Sequence, residues 1–177
     1  MSENPDLKKS YWTVKRIAIL IIFIALSAVG SLIKIPSPVG SIGLDSCPGL
    51  FCALAFGYPV GAIVIAVGHM LTSAIVGFPM SLPVHIVLAI GMGILAVVFR
   101  FIHQKMKNVD KNGLVGLIIA IIVVTLLNSF ALGLIALPLG GWGMYFAIIP
   151  SLLVASAVNT IIAGIAYFSL RNSRLLN

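Results

Sequence analysis

The chain has 177 residues, of which 60% are apolar and 8% charged, and it carries a formal net charge of +7. With a mean hydropathy of +1.19, this composition excludes a soluble globular fold, which keeps a polar surface, and predicts one compact all-α integral membrane domain over residues 1–177. The basic residues stand at the ends of apolar runs rather than in a stripe with interleaved aromatics. That arrangement excludes a nucleic-acid surface and reads as a membrane topology signal.

Crossing about 30 Å of hydrocarbon at about 1.5 Å per residue takes roughly 20 apolar residues. The apolar runs and turn signals predict helices at 14–34, 46–57, 59–77, 82–102, 113–137 and 146–171. Basic residues precede the first run as in a leader peptide. The run is long, however, and small residues such as Ala28 and Gly30 lie inside it, so a retained first helix is expected. After it comes IPSPVGSIGLDSCPGLF, residues 35–51. This stretch is crowded with Gly, Pro and Ser and contains Asp45, the only acidic residue between Asp6 and Asp110. Pro48 and the Asp-Ser-Cys-Pro run predict that Asp45 caps a short second helix, a role compatible with ligand contact. Cys47 and Cys52 are too few for a disulfide framework and are expected as free thiols. The Gly57, Tyr58, Pro59 signal separates the second and third helices.

With six crossings and both termini cytoplasmic, the inner side receives Lys8, Lys9, Lys15, Arg16, Arg100, Lys105, Lys107, Lys111, Arg171 and Arg174, and the outer side keeps Lys34 alone. A five-crossing alternative puts the Arg100–Lys111 loop outside and breaks the charge rule. The outer loops are then 34–45, 77–81 and 138–145.

Polar residues at membrane depth are the strongest functional pointers in such a chain. His69, Asn128 and Asn159 lie at roughly one depth, His85 about one turn into its helix, and Asp45 at the mouth, together outlining a polar pocket open to the outside. Interhelical bonding is the alternative for both asparagines, and a satisfied structural imidazole is the alternative for His69 and His85. In PLGGWGMYF, residues 138–146, Trp142 and Tyr145 stand either as interfacial anchors or as an aromatic lid over a flat ligand. No P-loop, HExxH or GxSxG motif is present, so neither ATP hydrolysis nor membrane hydrolysis is expected of this chain. No intramembrane acid–base couple is evident either, and the histidines are too isolated for a metal site.

The stretch IPSPVGSIGLDSCPGLFCALAFGYPVGAIVIAVGHMLTSAIVGFP resembles the substrate-binding S components of energy-coupling factor (ECF) vitamin transporters, and the helix count and size match across nearly the whole chain. An Asp-x-x-Pro helix start (Asp45 to Pro48) and a Phe-Gly-x-x-x-Gly turn (Phe56, Gly57, Gly61) are shared with riboflavin-type members. "SIGLDSCPG" and "AVGHMLTSAIVGFPMSLPVH" look most like the group that takes up alpha-ribazole, a cobalamin precursor.

The resemblance implies a multi-pass plasma-membrane protein that is not itself an enzyme and needs no cofactor. It would capture a vitamin-like ligand through Asp45, His69, His85, Asn128, Trp142, Tyr145 and Asn159. Release would be inward, together with a transmembrane coupling subunit and two cytosolic ATPases. The family's first helix often docks its partner through Ala-x-x-x-Ala. Here Ala18 is followed four residues on by Ile22, and Ala25 and Ala28 supply the small residues instead. Riboflavin uptake, an independent secondary transporter, a small membrane enzyme and a scaffold are the competing readings.

Overall fold

The computed structural model describes residues 11–38, 40–106, 109–110 and 112–173. Of the residues assigned to the inner side, Lys8, Lys9, Lys107, Lys111 and Arg174 lie outside the described residues. Six α-helices are described: α1 (Val14–Gly30), α2 (Cys47–Phe56), α3 (Tyr58–Val76), α4 (Leu82–Lys105), α5 (Leu114–Leu126) and α6 (Leu137–Leu170). A hairpin of β1 (Lys34–Ser37) and β2 (Gly40–Gly43) lies between α1 and α2. A π-helical turn, Leu127–Ala131, and a 3₁₀ turn, Leu132–Ala136, join α5 to α6.

Three helical stretches are long and apolar enough to cross a membrane: Tyr58–Val76, Leu82–Lys105 and the continuous Leu114–Leu170. The last has 57 residues and would be about 85 Å long if straight, nearly three bilayer cores. It bends instead, first at the π and 3₁₀ turns and again at Gly140 and Gly141. Gly141 has φ 63° and ψ −158°, a conformation open to glycine and strained for any other residue.

Helix α2 is the centre of the bundle, packing against α1, α3, α4 and α6. Leu50, Phe51, Cys52, Ala53 and Leu54 are buried together with Val60, Val64 and Phe99, and Phe23 of α1 stacks on Phe51 at 5.4 Å. Two glycines allow α2 and α3 to approach this closely. A Cβ on Gly49 would lie 2.6 Å from the Ile65 Cα, and one on Gly61 would lie 2.5 Å from the Ala53 backbone nitrogen. Small residues that let backbones touch are the means by which helices associate where lipid removes the hydrophobic difference between inside and outside. Both cysteines are free, with Cys52 buried and Cys47 half-buried.

At ten residues α2 is about 15 Å long, half of a bilayer core. A helix of half the core thickness cannot span it, so at least one of its ends presents backbone groups at a depth where an unsatisfied one costs several kcal/mol. Both ends are met by distant side chains. The Cys47 N–H donates to Asn159 Oδ1 of α6 at 2.7 Å. At the other end, Arg100 Nη1 of α4 donates to the Ala53 and Leu54 carbonyls at 2.6 and 2.5 Å, a cation at the negative end of the helix dipole.

Three expectations are corrected here. Within the predicted outer loop 34–45, Lys34–Ser37 and Gly40–Gly43 pair as a hairpin, tied to α6 by the Ser151 hydroxyl donating to the Pro36 carbonyl at 2.8 Å. Pro36 is tolerated because both strands of a two-stranded ribbon are edges. Residues 138–145 form the bent start of α6, with Pro138 in its first turn where no N–H is needed. The N-cap of α2 is Ser46, without a side-chain capping bond, while the Asp45 carboxylate turns elsewhere.

Candidate functional site

A cavity of about 140 Å³ lies inside the bundle, lined from β2, α2, α3, α4, α5, α6 and the turns 77–81 and 127–136. Helix α1 contributes nothing to it. Instead, Val14, Ile17, Ile21, Ile22, Leu26 and Val29 form an exposed apolar face at helical spacing. Ala18 and Ala25 are also exposed, and Ala28 is half-buried.

Asp45, at the start of α2, is only 6% exposed. Its Oδ1 accepts from the Ser46 hydroxyl at 3.1 Å, and its Oδ2 lies 3.2 Å from His69 Nδ1 of α3. His69 Nε2 lies 3.2 Å from His85 Nδ1 of α4. Ser73, one turn beyond His69, puts its hydroxyl 2.9 Å from His85 Nδ1 and 3.4 Å from His69 Nε2. The result is a continuous chain of carboxylate, imidazole and imidazole along one wall. The spacing that builds it is helical: His69 and Ser73 are four residues apart and share a face of α3. An acid–base couple therefore exists in the chain, contrary to the reading of the sequence, because a hairpin and a short helix carry Asp45 back against α3.

The opposite wall holds amides and hydroxyls. Asn128, half-buried in the π turn, makes no hydrogen bond to any described residue, so its amide is open to the cavity it lines. A π turn widens the helix by one residue, and such turns recur at functional sites. Here it sets Asn128 on the cavity wall while Ser129 is buried, its hydroxyl donating to the Thr125 carbonyl at 2.8 Å. Asn159 also lines the cavity, but its amide is already engaged. Besides accepting from Cys47, its Nδ2 donates to the Ala155 carbonyl at 2.9 Å. Two further lining residues, Thr72 and His85, each hold a buried polar atom, Oγ1 and Nε2, without a partner among the described residues.

Leu50, Ile65, Leu88, Met92, Leu95 and Ile148 supply an apolar lining, and no Lys or Arg takes part in it. Among the described residues, the cavity lining thus combines one carboxylate, two imidazoles and several neutral polar groups with apolar walls, the composition of a small-molecule pocket.

Of the residues singled out from the sequence, Asp45, His69, His85, Asn128 and Asn159 all line this one cavity. Trp142 and Tyr145 do not. Trp142 is 61% exposed, edge-on to Tyr145 and stacked near Phe146, and Tyr145 is buried with its hydroxyl donating to the Phe130 carbonyl at 3.3 Å. Sequence reasoning missed the cavity role of Ser73, whose position four residues from His69 was the available signal. It also missed that of the 77–81 turn, where Pro79 and Met80 line the cavity and Phe78 and Ser81 adopt positive φ.

A family model described as "ECF transporter, substrate-specific component" matches residues 15–171. No curated protein matches the chain. A solved structure described as the S component of a bacterial ECF transporter is similar at 26% identity and a TM-score of 0.60, over 91% of this chain and 95% of that one. The cavity lies in a bundle of this kind, and the match runs through every element that lines it. The chain is a substrate-specific S component of the ECF transporter family, whose members are membrane proteins that bind substrate and are not enzymes.

Proposed function

We propose that the chain captures alpha-ribazole, or a closely similar neutral nucleoside, from outside the cell and delivers it inward with a transmembrane coupling subunit and two ATPases. In this reading six helices cross the plasma membrane, both termini are cytoplasmic, and the hairpin and the 77–81 turn form the outer mouth. Lys34 at the hairpin, against Lys15, Arg16, Arg100, Lys105 and Arg171 at the helix ends assigned inward, supports that orientation. Ala18 and Ala25, on the outward face of α1 with Ala28 beside them, would meet the coupling subunit.

The observation that carries the substrate reading is a lining of amides, hydroxyls and imidazoles set among apolar residues, with its one carboxylate, Asp45, engaged by Ser46 and His69. Asn128, with its amide open, and the imidazoles suit ribose hydroxyls and ring nitrogens, and the absence of Lys and Arg from the lining disfavours phosphates and carboxylates. Trp142 and Tyr145, off the cavity wall, take no part as a lid in this arrangement. Riboflavin, also flat and rich in hydroxyls, is the second reading, favoured by the shared Asp-x-x-Pro start and Phe-Gly-x-x-x-Gly turn. Mass spectrometry of ligand co-purifying with the chain, followed by calorimetry with alpha-ribazole and riboflavin, separates them. Binding of alpha-ribazole without ATP or an ion gradient is expected, and binding of riboflavin alone overturns the nucleoside reading.

The Asp45–His69 couple is the one observation that favours independent, proton-driven uptake. Accumulation of alpha-ribazole by liposomes containing this chain alone under a proton gradient would establish that alternative. None is expected.

A further inference from the structure

The distances along the Asp45–His69–His85 chain determine where its protons sit. His69 Nδ1 faces the Asp45 carboxylate at 3.2 Å, and a carboxylate only accepts, so Nδ1 carries hydrogen. With no added proton, His69 Nε2 is then a lone pair, 3.2 Å from His85 Nδ1. Two facing lone pairs at that distance repel, so His85 must carry its hydrogen on Nδ1. The hydroxyl of Ser73 leads to the same tautomer, accepting from His85 Nδ1 at 2.9 Å and donating toward His69 Nε2 at 3.4 Å. His85 Nε2 is thereby left a bare acceptor, buried and without a partner among the described residues. If His69 takes up a proton, its Nε2 becomes a donor, His85 Nδ1 must accept, and the His85 hydrogen moves to Nε2.

We infer that Asp45 acts as a positioning residue which sets, through His69 and His85, the hydrogen-bonding polarity of the cavity wall at His85 Nε2: acceptor in the chain without an added proton, donor in the chain with one. A ligand offering an O–H or N–H there binds the first state, and binding to the second expels one proton to water. The ring of Phe78, in the 77–81 turn at positive φ, lies 5.7 Å from that of His85. Asp45, His69 and His85 are the titratable groups in the lining. The other elements contribute amides, hydroxyls and apolar groups, and Cys47, two residues beyond Asp45, stands outside it.

This inference rests on reading the cavity as the substrate site, but its first test needs no substrate. The chain has three histidines, His69, His85 and His103, so two-bond proton–nitrogen spectra of the histidine-labelled protein in lipid nanodiscs can be assigned with His69→Gln and His103→Gln. At pH 8 both His69 and His85 are expected as Nδ1–H tautomers. On acidification His85 should convert to Nε2–H in the same step that protonates His69. In Asp45→Ala, which leaves His69 Nδ1 without the carboxylate that fixes its hydrogen, the Nδ1–H form of both histidines at pH 8 should give way to a mixture of tautomers. A His85 that is Nε2–H at pH 8, or histidine tautomers that are the same in wild type and Asp45→Ala, overturns the inference. Calorimetry with alpha-ribazole at pH 8, and at the acid pH at which the spectra show His69 protonated, in two buffers of different ionisation enthalpy, should show weaker binding with proton release at the acid value. Proton-neutral binding of equal strength at both values also overturns it. If alpha-ribazole binds at neither pH, the nucleoside reading of the cavity fails and the spectra alone decide the chain.

Discussion

Asn159→Ala tests whether α2 is held in place from α6. The substitution removes the acceptor of the Cys47 N–H bond at 2.7 Å. It leaves that N–H at the buried start of a helix whose next residue, Pro48, has no donor of its own. A stranded buried donor costs about 1–3 kcal/mol. Water entering the space vacated beside the cavity recovers part of this, so a net loss of about 1–2 kcal/mol is expected, roughly a five- to thirtyfold change in the folding equilibrium. For a chain of this length that corresponds to a fall in melting temperature of about 2–8 °C, readable by thermal unfolding in detergent or nanodiscs. Asn159→Asp keeps an acceptor at the positive end of the α2 dipole but turns an oxygen toward the Ala155 carbonyl in place of the Nδ2 donor, and should recover only part of the loss. Ser151→Ala, which removes an exposed bond to Pro36, should change stability by less than about 0.5 kcal/mol. An Asn159→Ala protein that melts with wild type, or an Asp variant no better than the Ala variant, would sink the argument that this side chain anchors α2.

The other perturbations separate stability from binding. Arg100→Ala should lower the melting temperature more than Asn159→Ala, since it strands two carbonyls and removes charge-assisted bonds of about 1.5–3 kcal/mol; equal melting of the two variants speaks against it. Gly61→Ala forces a Cβ against the Ala53 backbone, which cannot swing aside, and should destabilise by about 1–3 kcal/mol in the same assay. Asn128→Ala should leave the melting temperature unchanged, because the amide has no protein partner, yet weaken alpha-ribazole about tenfold or more in calorimetry. Asp110, in the turn between α4 and α5, accepts from the Val115 and Asn112 N–H groups at 2.9 Å each, and these bonds hold its carboxyl below the usual carboxylate value. A depressed folded value means that its contribution is present above the unfolded value and lost as pH falls through the folded one. Hydrogen exchange at the Val115 amide, relative to the intrinsic rate of an unfolded chain at the same pH, should therefore accelerate under acid in wild type. In Asp110→Asn it should be fast already at neutral pH.

Much of the helical pattern was legible because long apolar runs punctuated by Gly, Pro and charge leave few alternatives, as in the Gly57–Tyr58–Pro59 break between α2 and α3. Five of the polar residues that line the cavity, Asp45, His69, His85, Asn128 and Asn159, were legible too. Asn128, His69 and His85 are conspicuous among apolar neighbours, and polar side chains at membrane depth have few reasons to be there. What the sequence hid was pairing. Nothing local tells that Asn159 reaches across 112 residues to the Cys47 N–H, or that Asp45 turns from its own helix to His69. Local rules assign Asp45 the cap because it precedes Pro48, yet a distant amide takes part of that work and leaves the carboxylate to the imidazoles. The loop expected around Trp142 and Tyr145 was misplaced for a related reason. PLGGWGMYF carries loop punctuation, but Gly141 bends a helix there without ending it, which leaves Trp142 outside the bundle.

The irregular backbone of this chain is distributed with a physical logic. In hydrocarbon every broken helix exposes N–H and C=O groups that only protein or enclosed water can satisfy. Three of the interruptions within the bundle, at residues 41–46, 77–81 and 127–136, contribute lining residues to the same cavity. There, polar side chains such as Asn159 and Ser73 meet the interrupted backbone or stand beside it. The Gly140–Gly141 bend is different. It contributes nothing to the lining and sits beside the exposed ring of Trp142, where an interfacial position would give the freed backbone groups access to water. A cavity bounded by half-length or distorted helices is where a membrane protein can tolerate such breaks while keeping hydrogen-bonding groups available to a ligand. On this argument the short α2, the π turn and the positive-φ turn are one device. Regularising any of them, for example by deleting one residue of Leu127–Ala131 to restore α-helical pairing, should abolish alpha-ribazole binding while raising helical content.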